Sequence, residues 1–337
     1  MKRLMMAAVA VFALMAPAAA EDFKPAVIFD TGGKFDKSFN EAAYNGAEQF
    51  KKETGVEYAE FEVTNESQRE QSLRKLAERG ATVIVATGFA QAPAIKTVAA
   101  EFPNVKFTLI DDVVDLPNVQ SIIFKEHEGS FLVGVLASMA SKTGKVGFVG
   151  GMDIPLIRKF ACGYVQGAKY ANGSAEVFEN MTGTTGDAWN DPTKGGELAR
   201  SQFDRGADVV YAAAGGTGLG VYQAAKDAGK LAIGVDSNQN YIHPGTMLTS
   251  MLKRVDLAVY NSFKTAQDGS WKPGLRVLGL AEDAGACLPR TFLGRLHAVV
   301  DRDVDPLDHG GQDRAGMQVV LIAIDADRQL LGIGHRL

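Results

Sequence analysis

The feature that most constrains this chain is a regular alternation. Short, β-rich apolar runs are separated, almost without a break, by longer stretches with helical spacing. Strands are expected at 26–29, 57–63, 82–86, 106–110, 119–124, 145–149, 176–181, 208–213, 231–235 and 246–252. Helices are expected near 38–53, 66–79, 92–101, 128–139, 156–171, 195–205, 218–228 and 255–267. Alternation of this kind implies parallel sheets with helices on both faces, an α/β fold. So many strands in 337 residues exceed one simple sheet, and two lobes are expected. The best boundary follows 119–124, where Lys125-Glu126-His127-Glu128 is polar, and a second crossing falls near 249–253. Ser38, with Glu41 three residues on, reads as a capping box that opens the first helix. In open α/β sheets ligands bind beyond the carboxyl ends of the strands, which singles out Asp30, Asp111, Gly150, Trp189, Gly215, Asp236 and Lys253.

The two ends of the chain differ from its middle. Lys2 and Arg3 precede an apolar stretch at 4–15, and Ala18-Ala19-Ala20 lies just before Glu21. That is the pattern of a secretory signal peptide over 1–20. The stretch is short for a membrane span, rich in alanine and interrupted by Pro17. With no cysteine near the cleavage site to accept a lipid, an exported and soluble mature protein is expected. Export permits a disulfide between Cys162 and Cys287, but Cys162 lies in a helical stretch and reads as a buried free thiol. At the other end, no lysine follows Lys272 although seven arginines do; serine stops at Ser270 and asparagine at Asn261. So abrupt a shift points to a reading-frame change or a foreign fusion in an atypical tail, 281–337. The alternative is a divergent native element, because Met317-Gln318-Val319-Val320 opens a run with strand character.

Catalytic constellations are poor. The histidines at 127, 243, 297, 309 and 335 show no metal-binding spacing, and no Gly-x-Ser-x-Gly elbow or Gly-Lys-Ser/Thr phosphate loop occurs. No metal, no cofactor and no enzymatic activity are expected. With 35 basic against 40 acidic residues, the overall charge does not favour nucleic acid. Gly215-Gly216-Thr217-Gly218-Leu219-Gly220 suggests a dinucleotide loop, yet Val221 stands where its last glycine is needed. Asp236 can still accept two hydrogen bonds from vicinal sugar hydroxyls.

The most specific segment is Phe29-Asp30-Thr31-Gly32-Gly33-Lys34-Phe35-Asp36-Lys37-Ser38-Phe39-Asn40. It resembles the signature of the basic membrane protein family of solute-binding proteins, which includes purine nucleoside receptors of ABC importers. The likeness continues through 107–111, Ile157-Arg158-Lys159-Phe160, Asn190-Asp191-Pro192-Thr193-Lys194-Gly195, Gly234-Val235-Asp236-Ser237-Asn238-Gln239 and 248–253, fading near Leu280.

The resemblance implies a type I periplasmic-binding-protein fold: two Rossmann-like lobes, three hinge strands and a ligand cleft between the lobes. The first lobe would comprise 21–123 with the helix 254–269, and the second 124–253 with a return strand at 270–280. It implies a monomeric receptor for a purine nucleoside or nucleobase that delivers its ligand to an ABC permease in the inner membrane. Phe39 and Trp189 would stack on the two faces of the base; family members often carry phenylalanine at the latter position. Asp30 and Asn40 would meet the base edge, with Asp111 nearby and Gly215 beside them. Asp236 would hold the ribose diol and Lys253 would donate to the sugar. Blander roles compete: Phe39 as a core anchor, Asp30 and Asp236 as helix caps, Lys253 as a solvated edge lysine. Alternatives for the whole chain are a receptor for riboflavin or ribose, or an exported nucleoside-metabolising enzyme.

Overall fold

The computed structural model describes residues 23–280 and 317–320. The first half alternates β1 (Pro25–Phe29), α1 (Phe39–Thr54), β2 (Ala59–Glu62), α2 (Gln68–Glu78), β3 (Val83–Thr87), α3 (Ala92–Glu101), β4 (Lys106–Ile110) and β5 (Val119–Phe124). The second continues with α4 (Glu126–Ala140), β6 (Lys145–Met152), α5 (Pro155–Ala171), β7 (Glu176–Gly183), α6 (Pro192–Asp204), β8 (Val209–Ala213), α7 (Gly218–Asp227), β9 (Leu231–Asp236) and β10 (Met247–Lys253). Then follow α8 (Val255–Asp268), β11 (Gly274–Leu278) and β12 (Met317–Val320).

The strands form two six-stranded sheets, β2-β1-β3-β4-β5-β11 and β7-β6-β8-β9-β10-β12. All pairings are parallel except that of β12 with β10. Central strands such as β1, β3 and β8 are buried along their whole length, which is why they read as continuous apolar runs rather than alternating ones. The strands and helices expected from periodicity all occur, within a few residues at their ends.

Three apolar clusters hold the lobes. Two lie on the outer faces of the separate sheets, around Leu73 and Ile95 and around Phe203 and Tyr222. The third runs without interruption from Val27 and Phe50 of the first lobe through Phe124, Leu248 and Val255 at the crossings to Phe148 and Tyr164 of the second. The lobes therefore share a core at the hinge. Helices pack there at backbone distance: a Cβ on Gly46 of α1 would lie 2.0 Å from the Asp256 carbonyl oxygen of α8, and one on Gly167 of α5 would lie 2.0 Å from that of Phe131 in α4.

Three expectations are corrected. The strand at 274–278 does not return to the second lobe; it extends the first sheet beside β5, in register from Gly274 opposite Gln120 to Leu278 opposite Phe124. Trp271 fixes this choice by donating its indole N–H to Thr108 Oγ1 of β4 at 3.2 Å, and Gln120 Nε2 donates to the Lys272 carbonyl at 2.7 Å. β11 thus lies in the first sheet and β12 in the second. Second, the Ser38 side chain does not cap α1. Asp36 does so instead, accepting from the backbone N–H groups of Ser38, Asn40 and Glu41 at 2.8, 3.0 and 3.1 Å. Third, Cys162 is exposed on α5 rather than buried; Cys287 and the signal segment lie outside the described residues, as does most of the tail.

Candidate functional site

The carboxyl ends of both sheets face one another across a cleft. Its cavity holds about 610 Å³ of space free of protein atoms, part of it open to solvent. All eight residues singled out from the sequence, Asp30, Phe39, Asn40, Asp111, Trp189, Gly215, Asp236 and Lys253, line it.

Because the two sheets share one strand order, their stations correspond. Asp111 follows β4 and Asp236 ends β9, each the fourth strand in from the β2 or β7 edge. Both are non-glycine residues in the left-handed region, with φ of 78° and 64°. Backbone strain of this kind clusters at functional sites, because turning the chain sharply there aims a side chain off the end of the strand.

Asp30, just past β1, is held rather than free. Its Oδ1 accepts from Arg69 Nε at 3.0 Å and lies 2.9 Å from Arg69 Nη2 of α2. Gly88 lies against its other oxygen: a Cβ there would sit 2.8 Å from Oδ2, on a backbone with φ of 96°. Burial raises the Asp30 pKa, and the Arg69 charge works against that rise. Asn40 is fully engaged in shaping the loop. Its Nδ2 donates to the carbonyls of Asp30 and Gly33, and its Oδ1 accepts from the Asp30 N–H and the Thr87 hydroxyl, all at 3.1–3.3 Å. It lines the cavity with its hydrogen-bonding capacity already committed to the backbone around Asp30.

Lys253, far from being solvated, is 2 % exposed. Its Nζ lies 2.5 Å from Asp111 Oδ2 and 3.5 Å from Glu126 Oε1, within 5.1 Å of the Phe39 and Phe124 ring centres. Burial pulls its pKa down, but the charges of Asp111, Glu126 and Asp236 outweigh this and raise it. Asp111 is pushed up to about 6, chiefly by burial, with Lys253 opposing and Glu126 adding to the rise. Glu126 is itself buried and pairs at 2.7 Å with Lys159 of α5.

Trp189 closes the far side from a short 3-10 turn, Gly186–Trp189. Its ring lies flush on Gly151, where a Cβ would come within 2.2 Å of Cζ3. Its Cβ lies 3.3 Å from the position a Cβ on Gly32 would take, so the residue touches both lobes. Gly215, with φ of 57°, opens the turn before α7 next to the Trp189 carbonyl. Asp236 is 8 % exposed; burial raises its pKa, while Lys253 and a hydrogen bond from Ser38 oppose the rise.

Sequence reasoning missed Arg69, Glu126 and Asp36. Nothing in the spacing of α2 marks Arg69 as turned toward Asp30. Glu126, directly after a strand that crosses between lobes, carried the strand-end signal but was read as part of a polar boundary. Asp36 follows no strand and so carries no strand-end signal; it caps α1, is 7 % exposed and lines the cavity.

Two parallel α/β lobes joined by several crossings, with a partly enclosed cleft between their strand ends, define a two-lobed solute-binding protein of the type I periplasmic class. Residues 23–284 match the family model described as "ABC transporter substrate-binding protein PnrA-like", and the chain belongs to that family. It is 39 % identical over 280 residues to an uncharacterised lipoprotein of Pyrococcus abyssi, covering 78 % of this chain and 68 % of that one. It is 32 % identical over 289 residues to the ABC transporter nucleoside-binding protein BmpA of Lactococcus lactis, covering 79 % and 81 %. An ABC transporter system solute-binding protein of Aeropyrum pernix superposes with a TM-score of 0.74 at 32 % identity, covering 83 % of this chain and 80 % of that one. The family match ends close to where the composition of the chain changes.

Proposed function

We propose that this chain is the exported receptor of an ABC importer and binds a purine nucleoside, or its free base, in the interlobe cleft without chemical change. The observation that carries the reading is the division of the cavity. Phe39 and Trp189 supply flat apolar faces, while Asp236, Asp111 and Lys253 gather at the strand ends. A base fits the first set by stacking, worth about 1–3 kcal/mol per base. A sugar fits the second, where charge-assisted hydrogen bonds gain strength from the dry surroundings. Asp30, Asp111 and Asp236 make the lining rich in acceptors, which suits a ligand that offers N–H and O–H donors and carries no negative charge. The relative from Lactococcus lactis named as nucleoside-binding supports the same ligand class.

The family's description as a substrate-binding protein supports binding and release without chemical change. The closed pair of lobes would form the surface that an inner-membrane permease recognises. The chain acts in this reading as a monomer in the periplasm, its N-terminal segment serving as the export signal. The test is direct. Small molecules released on denaturing the purified protein are identified by mass, and a panel of purine nucleosides and bases is added to ligand-free protein. Ligand at 100 times its dissociation constant is expected to add about 2.7 kcal/mol of stability. A panel that leaves the melting temperature unchanged overturns the proposal.

A further inference from the structure

Ser38, at the start of α1 in the first lobe, donates its hydroxyl to Asp236 Oδ2, at the end of β9 in the second, at 2.5 Å. The residue is fully buried and its backbone is fixed independently of that contact: its N–H donates to Asp36 Oδ1 at 2.8 Å, and its carbonyl accepts from the Ala42 N–H at 2.9 Å. The neighbouring residues join the lobes as well. Ser237 Oγ donates to the Ser38 carbonyl at 3.3 Å, and Gln239 Nε2 to the Lys37 carbonyl at 2.9 Å. Gln239 is a rigid strut, fully buried, with its Oε1 accepting from the Tyr222 hydroxyl and the Val235 N–H at 2.8 and 2.7 Å. Lys37, which receives it, is held at φ 62°.

Among the described residues Ser38 is the sole hydrogen-bond donor to the Asp236 carboxylate. The charged groups around that carboxylate do not orient it. Lys253 attracts it without a direct contact, while Glu126 and Asp36 repel it. When the lobes part, the one donor leaves with the opposite lobe.

We propose that Ser38 is a positioning residue for the sugar half of the ligand: lobe closure lays its hydroxyl on Asp236 Oδ2, fixes the carboxylate and leaves Oδ1 for the ribose hydroxyls, so the diol acceptor exists in finished form only in the closed state. This rests on the nucleoside reading above. It makes closure and sugar recognition one event. A free base, which does not use Asp236, gains from Ser38 only a share of the interlobe contact. A nucleoside gains the oriented carboxylate in addition.

The experiment is a cycle over protein and ligand, read by calorimetry. The variants are wild type, Ser38→Ala and Ser38→Thr; the ligands are a purine nucleoside, its 2′,3′-dideoxy analogue and the free base. Ser38→Ala is expected to weaken the nucleoside roughly 10- to 100-fold, in the range of one hydrogen bond to a charged group. The base and the dideoxy analogue are expected to change less than about 3-fold, and Ser38→Thr, which keeps the hydroxyl, to recover most of the nucleoside affinity. Retained base binding shows that a variant is folded; if Ser38→Ala fails that check, the dideoxy analogue on Ser38→Gly supplies the same comparison. An equal loss for all three ligands, or an unchanged nucleoside affinity, overturns the positioning role. Failure of the wild type to bind any nucleoside refutes instead the reading on which it rests.

Discussion

Lys253 Nζ stands 2.5 Å from Asp111 Oδ2, with 2 % and 4 % of the two side chains exposed, and the pair ties the last residue of β10 in one sheet to the residue after β4 in the other. Removing the lysine alone leaves Asp111 buried without its partner and takes a cation from Glu126. Lys253→Met is therefore expected to cost about 3–5 kcal/mol in urea unfolding. Combining it with Asp111→Asn should restore more than half of that loss while ligand affinity stays low. A single-variant loss below about 1 kcal/mol would contradict this account of the hinge.

In the nucleoside reading, Trp189→Ala removes a stacking face, and it leaves Gly151 uncovered. Nucleoside and free base are expected to weaken by the same factor, roughly 5- to 150-fold for the loss of about 1–3 kcal/mol. Asp236→Ala, in contrast, should weaken nucleosides far more than bases, because sugar hydroxyls would be buried unpaired. Titration calorimetry with both ligands separates the two patterns.

Asp36 gives the fold a pH dependence. Burial pushes its pKa up to about 7 from 3.8, although three backbone N–H groups and its place at the α1 N-terminus favour the charged form. The folded state thus holds a proton that the unfolded chain releases, and stability from this group is full below pH 3.8 and lost as the pH rises through about 7. Melting temperatures should fall across that window in the wild type. Asp36→Asn, which keeps an acceptor at the cap, should flatten the slope; an unchanged slope would assign it to another group.

The acceptor-rich lining predicts selection against phosphate. In the nucleoside reading, a 5′-phosphate would bring a dianion into a cleft lined by the Asp111 and Asp236 carboxylates. Like-charge contact of this kind costs several kcal/mol, so the nucleotide should bind at least about 100-fold more weakly at low salt. Competition between the two against the protein measures the ratio.

Much of the fold and of the cleft is legible in the sequence. Val83–Thr87 and Val209–Ala213 read as buried strands because parallel sheets covered on both faces leave continuous apolar runs. The strand-end rule pointed to Asp111, Asp236 and Lys253 without reference to any family. What remained hidden depends on contacts between distant segments. Ser38 looks like a helix cap locally, and its partner lies 198 positions along the chain. Arg69 reaches Asp30 over 39 positions, from a helix face that otherwise reads as solvated. The sheet that receives β11 is chosen by Trp271 and Gln120, whose side-chain partners cannot be read from periodicity.

The matched stations of Asp111 and Asp236 bear on how a guest would know which way to lie. Two lobes of the same strand order offer the same carboxylate from opposite walls, so these two groups alone would accept a flat molecule almost as well turned end for end. Handedness in the cleft has to come from what is present on one wall only: Trp189 from the second lobe, Arg69 behind Asp30 in the first, and Lys253 drawn toward Asp111.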